Sequence, residues 1–340
     1  MIPFLASALF VARFSASQCT VALSSPLRLF TKEVDVLKGF QRDDSNEIQR
    51  LYRFLEEQNC EGYENLAIGW TPCGLRGLFA TEAFEAGEYL FAVPFPATLL
   101  VQERIINPED EEMETGKEVE DLEMEQAVSF LENFVSVPSW KPYVDCLPKV
   151  DQASFDATPD FWSAKALTRF PVPRLREQSL DRMRRIRAES QKGKHCTNDL
   201  QWAMWILRSR GFTSLKPTGG TLRERTVLMP LIDMINHNGD DPSVSIEVIE
   251  SDVYDESFVA LQALRPIASS EQITLRYGTG FETSLELLDR YGFYTEANPN
   301  DDRIDWDLIE TDLLERIDDD QLDPTLFQST QFCHHLRQLR

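Results

Sequence analysis

The sequence predicts an α+β protein in which short β-elements open and close the fold and a block of helices separates them. Three observations carry this. Glycines at positions 69, 74, 77 and 87 punctuate residues 69–94 as strand, turn and strand. From Asp121 to about Gly211 the apolar residues recur at helical spacing. After Pro230, residues 244–249 and 257–261 alternate, and the short run 273–277 is rich in β-formers.

The elements follow in chain order. Residues 2–12 form an apolar run, no acid precedes Glu33, and Ser and Thr are frequent through Thr31. That pattern predicts a leader over residues 1–43, with small residues at 14–19 able to host cleavage. An organelle, a plastid in particular, is the predicted destination. A cytoplasmic protein with a disordered leader is the alternative. Ser45, Asn46 and Glu47 can cap a helix running to about Gln58. Residues 77–81 and 89–94 read as strands around a turn at 85–88. Residues 128–135 are amphipathic, and Trp140-Lys141-Pro142-Tyr143 breaks that pattern. Residues 174–194 carry eight bases against Glu177, Asp181 and Glu189. This is either a solvated helix laced with ion pairs or a contact for an acidic partner. Thr197 and Asn198 can cap the next helix, through residues 202–207 to Gly211. Residues 284–290 read as a last short helix before Tyr291-Gly292-Phe293.

Composition narrows the function classes. The 340 residues suffice for one large domain or two modest ones, and 42% hydrophobic content is too apolar for wholesale disorder. No apolar run approaches the ~20 residues of a membrane span. The net charge of −23 gives no electrostatic reason to bind nucleic acid. That charge is uneven. Residues 103–125 hold eleven acids against Arg104 and Lys117, and residues 301–320 hold ten against Arg303 and Arg316. Net charges of −9 and −8 there leave only −6 for the rest. Each segment is either a solvated face or a guide for a basic partner. The six cysteines form no CxxC pair, so a zinc site is not supported and no metal is expected. Cys333-His334-His335 is the one metal-capable run. GxGxxG, GxxxxGK[ST], GxSxG and HExxH are all missing.

Three segments remain where chemistry can sit. Gly74-Leu75-Arg76-Gly77-Leu78 is a double-glycine turn that lets backbone approach a ligand, or a plain hairpin. Asp233-Met234-Ile235-Asn236-His237-Asn238 packs polar residues against Leu228-Met229-Pro230-Leu231-Ile232. It reads as a buried hydrogen-bonded site or a structural core histidine. Arg276-Tyr277-Gly278 and Arg290-Tyr291-Gly292-Phe293 are paired Tyr-Gly steps, or packing at element ends.

The ordered set resembles one family. Gly-x-x-Gly-Leu-x-Ala-Thr with Ala-Gly-Glu, then Ser209-Arg210, then Asp-Met-x-Asn-His-Asn, Tyr277-Gly278 and Tyr291-Gly292-Phe293 is similar to SET-domain protein methyltransferases. It is closest in kind to the Rubisco large-subunit lysine methyltransferase type, which acts on non-histone proteins. The resemblance covers about residues 46–304. It implies small curved β-sheets around a knot-like crossing, where the Asn236 and Tyr277 segments meet. It divides the chain into the leader, a SET domain over 44–304 with a helical insertion at about 101–221, and an acidic remnant of a C-terminal substrate-binding domain at 305–340.

The implied reaction moves a methyl from S-adenosylmethionine to a protein lysine. By resemblance, the backbone of Gly74, Leu75, Arg76, Gly77 and Leu78 contacts the cofactor, and Arg210 approaches its carboxylate. Asp233, Met234, Asn236 and His237 hold it. Tyr277 is the catalytic tyrosine and also borders the cofactor. Tyr291 and Phe293 line the substrate channel. The implied partner is a protein with an exposed lysine, met by a monomer, with no nucleic acid or membrane. Two alternatives stand: a protein-histidine methyltransferase, against which the bulk of Tyr291 weighs, and a catalytically silent SET-type interaction module. The sequence also departs from the family's Gly-Glu-Gln turn, with Ser270-Glu271-Gln272 in its place.

Overall fold

The computed structural model describes residues 40–106, 116–149, 158–170, 172–218, 221–250, 257–295, 298–305 and 309. Of the predicted leader over residues 1–43, residues 1–39 lie outside these residues, as do nearly all of the acidic segment after residue 305 and Cys333-His334-His335. The leader ends earlier than predicted, because Gln41–Arg42 already pair with Trp70 and Gly69 and Phe40 stacks on Phe79.

Helix α1 (Asn46–Glu57) forms where residues 48, 51, 54 and 55 place one apolar stripe inward, and all four are buried. Ser45 occupies its N-cap position but makes no side-chain cap bond. Instead the Ser45 N–H donates to Asp43 Oδ1 at 3.1 Å. The α1 residue Tyr52 accepts from Ile68 N–H (3.2 Å) and donates to Leu66 O (3.0 Å). It thereby ties the helix to a three-stranded antiparallel sheet of β1 (Gln41–Arg42), β2 (Leu66–Trp70) and β3 (Arg76–Ala80).

Strand β4 (Tyr89–Pro94) matches its predicted range and lies at the edge of a second sheet. Its partners are β10 (Ser257–Ala263) and, beyond that, β9 (Val244–Glu250), both antiparallel. A third antiparallel sheet has the order β5 (Leu99–Ile106), β7 (Thr221–Leu228), β6 (Phe212–Thr218).

The helices lie between β5 and β6: α2 (Gly116–Phe130), α3 (Lys141–Val144), α4 (Ala164–Arg169), α5 (Pro173–Ser190) and α6 (Thr197–Arg210). The helical block is therefore narrower than residues 101–221, because both ends of that range are strand. Strand character also returns at Phe212, ahead of Pro230. Three local expectations change. The break falls earlier, at residues 136–137, and Trp140–Tyr143 is itself helical: Pro142 lies in the first turn of α3, where no N–H is needed. The N-cap of α6 is Cys196, whose sulfur accepts from Asp199 N–H at 3.4 Å, so Thr197 is already inside the helix. Basic α5 is laced with ion pairs such as Arg185–Asp181 at 2.7 Å, but it also buries Arg182.

One continuous apolar core runs under all three sheets and into α2 and α6. A second, smaller cluster of Phe170, Val172, Leu175, Leu288 and Ile309 joins the helical block to α7 (Ser284–Tyr291). Cys60, Cys73, Cys146 and Cys196 are unbridged. Among the described residues, no helix is long and apolar enough to cross a membrane.

Candidate active site

Two short strands make the centre. β8 (Asn236–His237) pairs in parallel with β11 (Thr274–Leu275), setting Asn236 beside Thr274 and His237 beside Leu275. The chain leaving β11 folds Tyr277 back over β8. Tyr277 N–H donates to His237 Nδ1 at 3.0 Å, and its hydroxyl donates to Ile235 O at 2.6 Å. Tyr277 is thus pinned at backbone and hydroxyl to one three-residue stretch. The phenol donates its O–H to a fixed carbonyl, so the oxygen's lone pairs remain to accept.

Tyr291 and Phe293 close around it. Ring centroids stand 4.7 Å apart for Tyr277–Tyr291, 5.2 Å for His237–Tyr277 and 5.3 Å for His237–Phe293. Helix α7 positions Tyr291. It starts with a full capping box between Thr283 and Glu286 and stops at Gly292, whose φ of +79° turns the chain so that Phe293 packs back toward Tyr291.

Strand β3 is locked to this centre. Asn236 Nδ2 donates to Arg76 O at 2.8 Å, and Ile273 N–H donates to Leu78 O at 2.8 Å. A Cβ on Gly77 would stand 2.4 Å from Gln272 Nε2 and 2.7 Å from Asn236 Nδ2, so only glycine admits both amides. Gly74 differs: it lies in the turn between Thr71 and Leu75, and a Cβ there would meet nothing within 4 Å. It opens onto a cleft also lined by Gln41, Trp70, Thr71 and Pro72.

A buried polar cluster backs the centre. Tyr143 hydroxyl donates to Asp233 Oδ2 at 2.8 Å. Arg210 Nη1 donates to Asp233 O and lies 3.9 Å from Asp233 Oδ2. Arg76 donates to Cys146 O at 3.1 Å and pairs with Asp43 at 3.4 Å. Buried polar atoms stay unpartnered here: Nε of Arg76 and of Arg210, Oδ1 of Asp233 and Nε2 of Gln272. Such unmet donors and acceptors are groups that a polar ligand or an ordered water would satisfy.

Burial sets the electrostatics. It raises Asp233 to about 6 against the pull of Arg210. His237 is lowered to about 4, first by burial and then by Arg276. Burial also pushes the Tyr277 phenol up to about 12 and raises that of Tyr291. At neutral pH the centre holds a neutral imidazole and two neutral phenols.

The predicted residues therefore gather as follows. Asn236, His237, Tyr277, Tyr291 and Phe293 form one aromatic box, with Arg76 and Gly77 on its β3 side and Asp233 and Arg210 behind. The side chains of Leu78 and Met234 belong to the apolar core, so their backbone is what they can offer a ligand. Sequence reasoning missed Tyr143, which lies 90 positions from its partner Asp233. It also missed Gln272, and a ring of four charges around Asp289. The only trace of Tyr143 in the sequence is an aromatic residue inside a polar, proline-containing run.

A family model described as SET domain matches residues 75–278, more than half of the chain. The chain belongs to the SET-domain family. Within it, residues of this chain are 27% identical over 188 positions to a chloroplastic [fructose-bisphosphate aldolase]-lysine N-methyltransferase of Arabidopsis thaliana. That match covers 49% of this chain and 36% of the relative. The fold is similar to the SET domain of LSMT solved with lysine and AdoHcy, with a TM-score of 0.55 at 20% identity. Rubisco LSMT solved with AdoMet gives 0.53 at 19% identity. Each covers 75% of this chain, which in turn spans 58% of each solved chain.

Proposed function

We propose that this protein is an S-adenosylmethionine-dependent protein-lysine N-methyltransferase acting on a non-histone protein in the plastid. The observation that carries the reading is the box around Tyr277. There a phenol is held at both ends, neutral, with its acceptor lone pairs free, and three aromatic rings stand against it.

S-adenosylmethionine, when bound, supplies an electrophilic methyl group on a sulfonium sulfur. The residues present suit it. The unpartnered guanidinium nitrogens of Arg210 and Arg76 are donors for a carboxylate, and Asp233 Oδ1 is an acceptor for an ammonium. Transfer forms an N–C bond as a C–S bond breaks, and it requires a neutral amine whose spare proton leaves to solvent. A lysine at its ordinary pKa of ~10.4 is charged at pH 7, and the apolar rings of Tyr291 and Phe293 disfavour that cation relative to the free amine. Tyr277 offers an acceptor that orients the attacking N–H and excludes water, so the gain comes from alignment more than from acid–base chemistry. The plastid assignment is supported by the acid-poor, Ser-rich leader and by the chloroplastic relative.

Labelled S-adenosylmethionine incubated with the protein and a plastid extract tests this. Label should appear on protein, hydrolyse to methyl-lysine, and fall by about a hundredfold or more with Tyr277→Phe. Methyl-histidine in the hydrolysate would move the target to histidine. No calorimetric binding of S-adenosylmethionine would leave only the silent interaction module. Residues 1–40 fused to a fluorescent reporter should enter plastids, and a diffuse cytosolic signal would sink that assignment.

A further inference from the structure

We infer that a buried ring of four charges, Asp160, Arg182, Arg208 and Asp289, positions Tyr291 against Tyr277 and so sets the width of the target channel. The inference rests on the proposed methyltransferase reading for its consequence, but its geometry stands apart from it.

The ring is closed. Asp160 Oδ1 accepts from Arg182 Nε at 2.7 Å and its Oδ2 from Arg208 Nη1 at 2.5 Å. Asp289 Oδ1 accepts from Arg182 Nη2 and its Oδ2 from Arg208 Nη2, both at 2.6 Å. Two carboxylates and two guanidiniums alternate, so the charges cancel within the ring. Side-chain exposure is 6–7% for Asp160 and Arg182, 10% for Arg208 and 18% for Asp289. Each planar guanidinium bridges the two carboxylates through two of its N–H groups, which fixes direction as well as distance.

What the ring joins gives it a role beyond stability. Asp160, Arg182 and Arg208 belong to the helical block, and Asp289 belongs to α7, two residues before Tyr291. A further bond runs from Arg290 Nε to Arg208 O at 2.7 Å. Meanwhile Arg210, two residues on at the same end of α6, donates to Asp233 O, just ahead of β8. The last turn of α6 thus reaches both walls of the box: the α7 wall through Arg208 and the β8 wall through Arg210. Leu288 belongs to the apolar cluster that joins α7 to the helical block, and apolar contact is non-directional. The ring and the Arg290 bond add directional ties at Asp289 and Arg290, the two residues before Tyr291, and so orient the end of α7 that carries it. Asp289 and Arg208 are positioning residues that act on Tyr291 through α7.

The test is Asp289→Asn, which removes one charge while keeping shape. In protein labelled with 3-fluorotyrosine, the Tyr291 resonance, assigned by Tyr291→Phe, should shift or split. The Tyr52 resonance, on α1, should stay. The same variant should raise KM for the protein target by about tenfold or more, or shift the product among mono-, di- and trimethyl-lysine. Its affinity for S-adenosylmethionine should stay within about twofold. Asp289→Glu should restore part of the loss. An unmoved Tyr291 resonance in folded Asp289→Asn overturns the inference. If wild type adds no methyl group yet the resonance moves, only the methyltransferase reading fails. Should Asp289→Asn not fold, Arg208→Lys, which keeps the charge without the fork, takes its place. Loss of folding in both would make the ring a general stabiliser and overturn the positioning role.

Discussion

Asp233 and His237 stand four positions apart, and burial drives both toward their neutral forms, from opposite sides of the pH scale. For His237 the neutral form is also required by geometry, because Nδ1 must be unprotonated to accept from Tyr277 N–H. Its proton therefore sits on Nε2. The folded pKa of about 4 lies below the ordinary 6.5, so this residue adds stability above pH 6.5 and loses it as pH falls toward 4. Nitrogen-resolved NMR should find His237 as the neutral Nε2–H tautomer from pH 8 down to about 5.5. A midpoint near 6.5 would show the hydrogen bond to Tyr277 is not made. Burial acts on Asp233 with the opposite sign: its folded pKa of about 6 is above the ordinary carboxylate value, and its ionisation weakens the fold as pH rises through 6.

At the scale of elements, the turn before β11 stores strain. Ser270 has a φ of +69°, a region that costs a side-chain-bearing residue roughly 1–2 kcal/mol. Ser270→Gly should raise stability by about 0.5–1 kcal/mol, after the extra freedom of glycine in the unfolded chain is subtracted. A thermal melt should rise by a few degrees, and an unchanged or lower midpoint would show that Ser270 makes a compensating contact. Such a turn is legible in sequence, as are β3, β4, α1 and α6, because glycines punctuate the strands and apolar spacing outlines the helices, even though the predicted caps Ser45 and Thr197 do not act as caps. The sheet of β5, β6 and β7 is not. Its strands place Glu103, Arg104, Arg223, Glu224 and Arg225 in cross-strand ion pairs, Arg104–Glu224 at 2.9 Å among them, so charge replaces the apolar alternation that announces a strand. The aromatic box was legible because its residues come in short motifs. The ring around Asp289 draws single residues from four elements, and no local spacing records that.

Over the whole molecule, the formal charge of −23 acts at long range. Fields of this size steer an oppositely charged partner within about one Debye length, ~10 Å at 0.1 M salt. KM for a basic protein target should therefore rise several-fold between ~0.05 and ~0.3 M salt while kcat changes little. A flat KM would remove charge from target recognition. A different consequence follows from the parallel pair of β8 and β11, whose two short strands are separated in the chain by all of β9 and β10. Each strand contributes two residues, too little to hold together until the sheet between them has closed. Contacts so distant along the chain form late in folding. During synthesis, the pocket has no walls until Phe293 has left the ribosome. A nascent chain carrying every residue up to β10 still lacks Tyr277, Tyr291 and Phe293, and with them the whole aromatic side of the box.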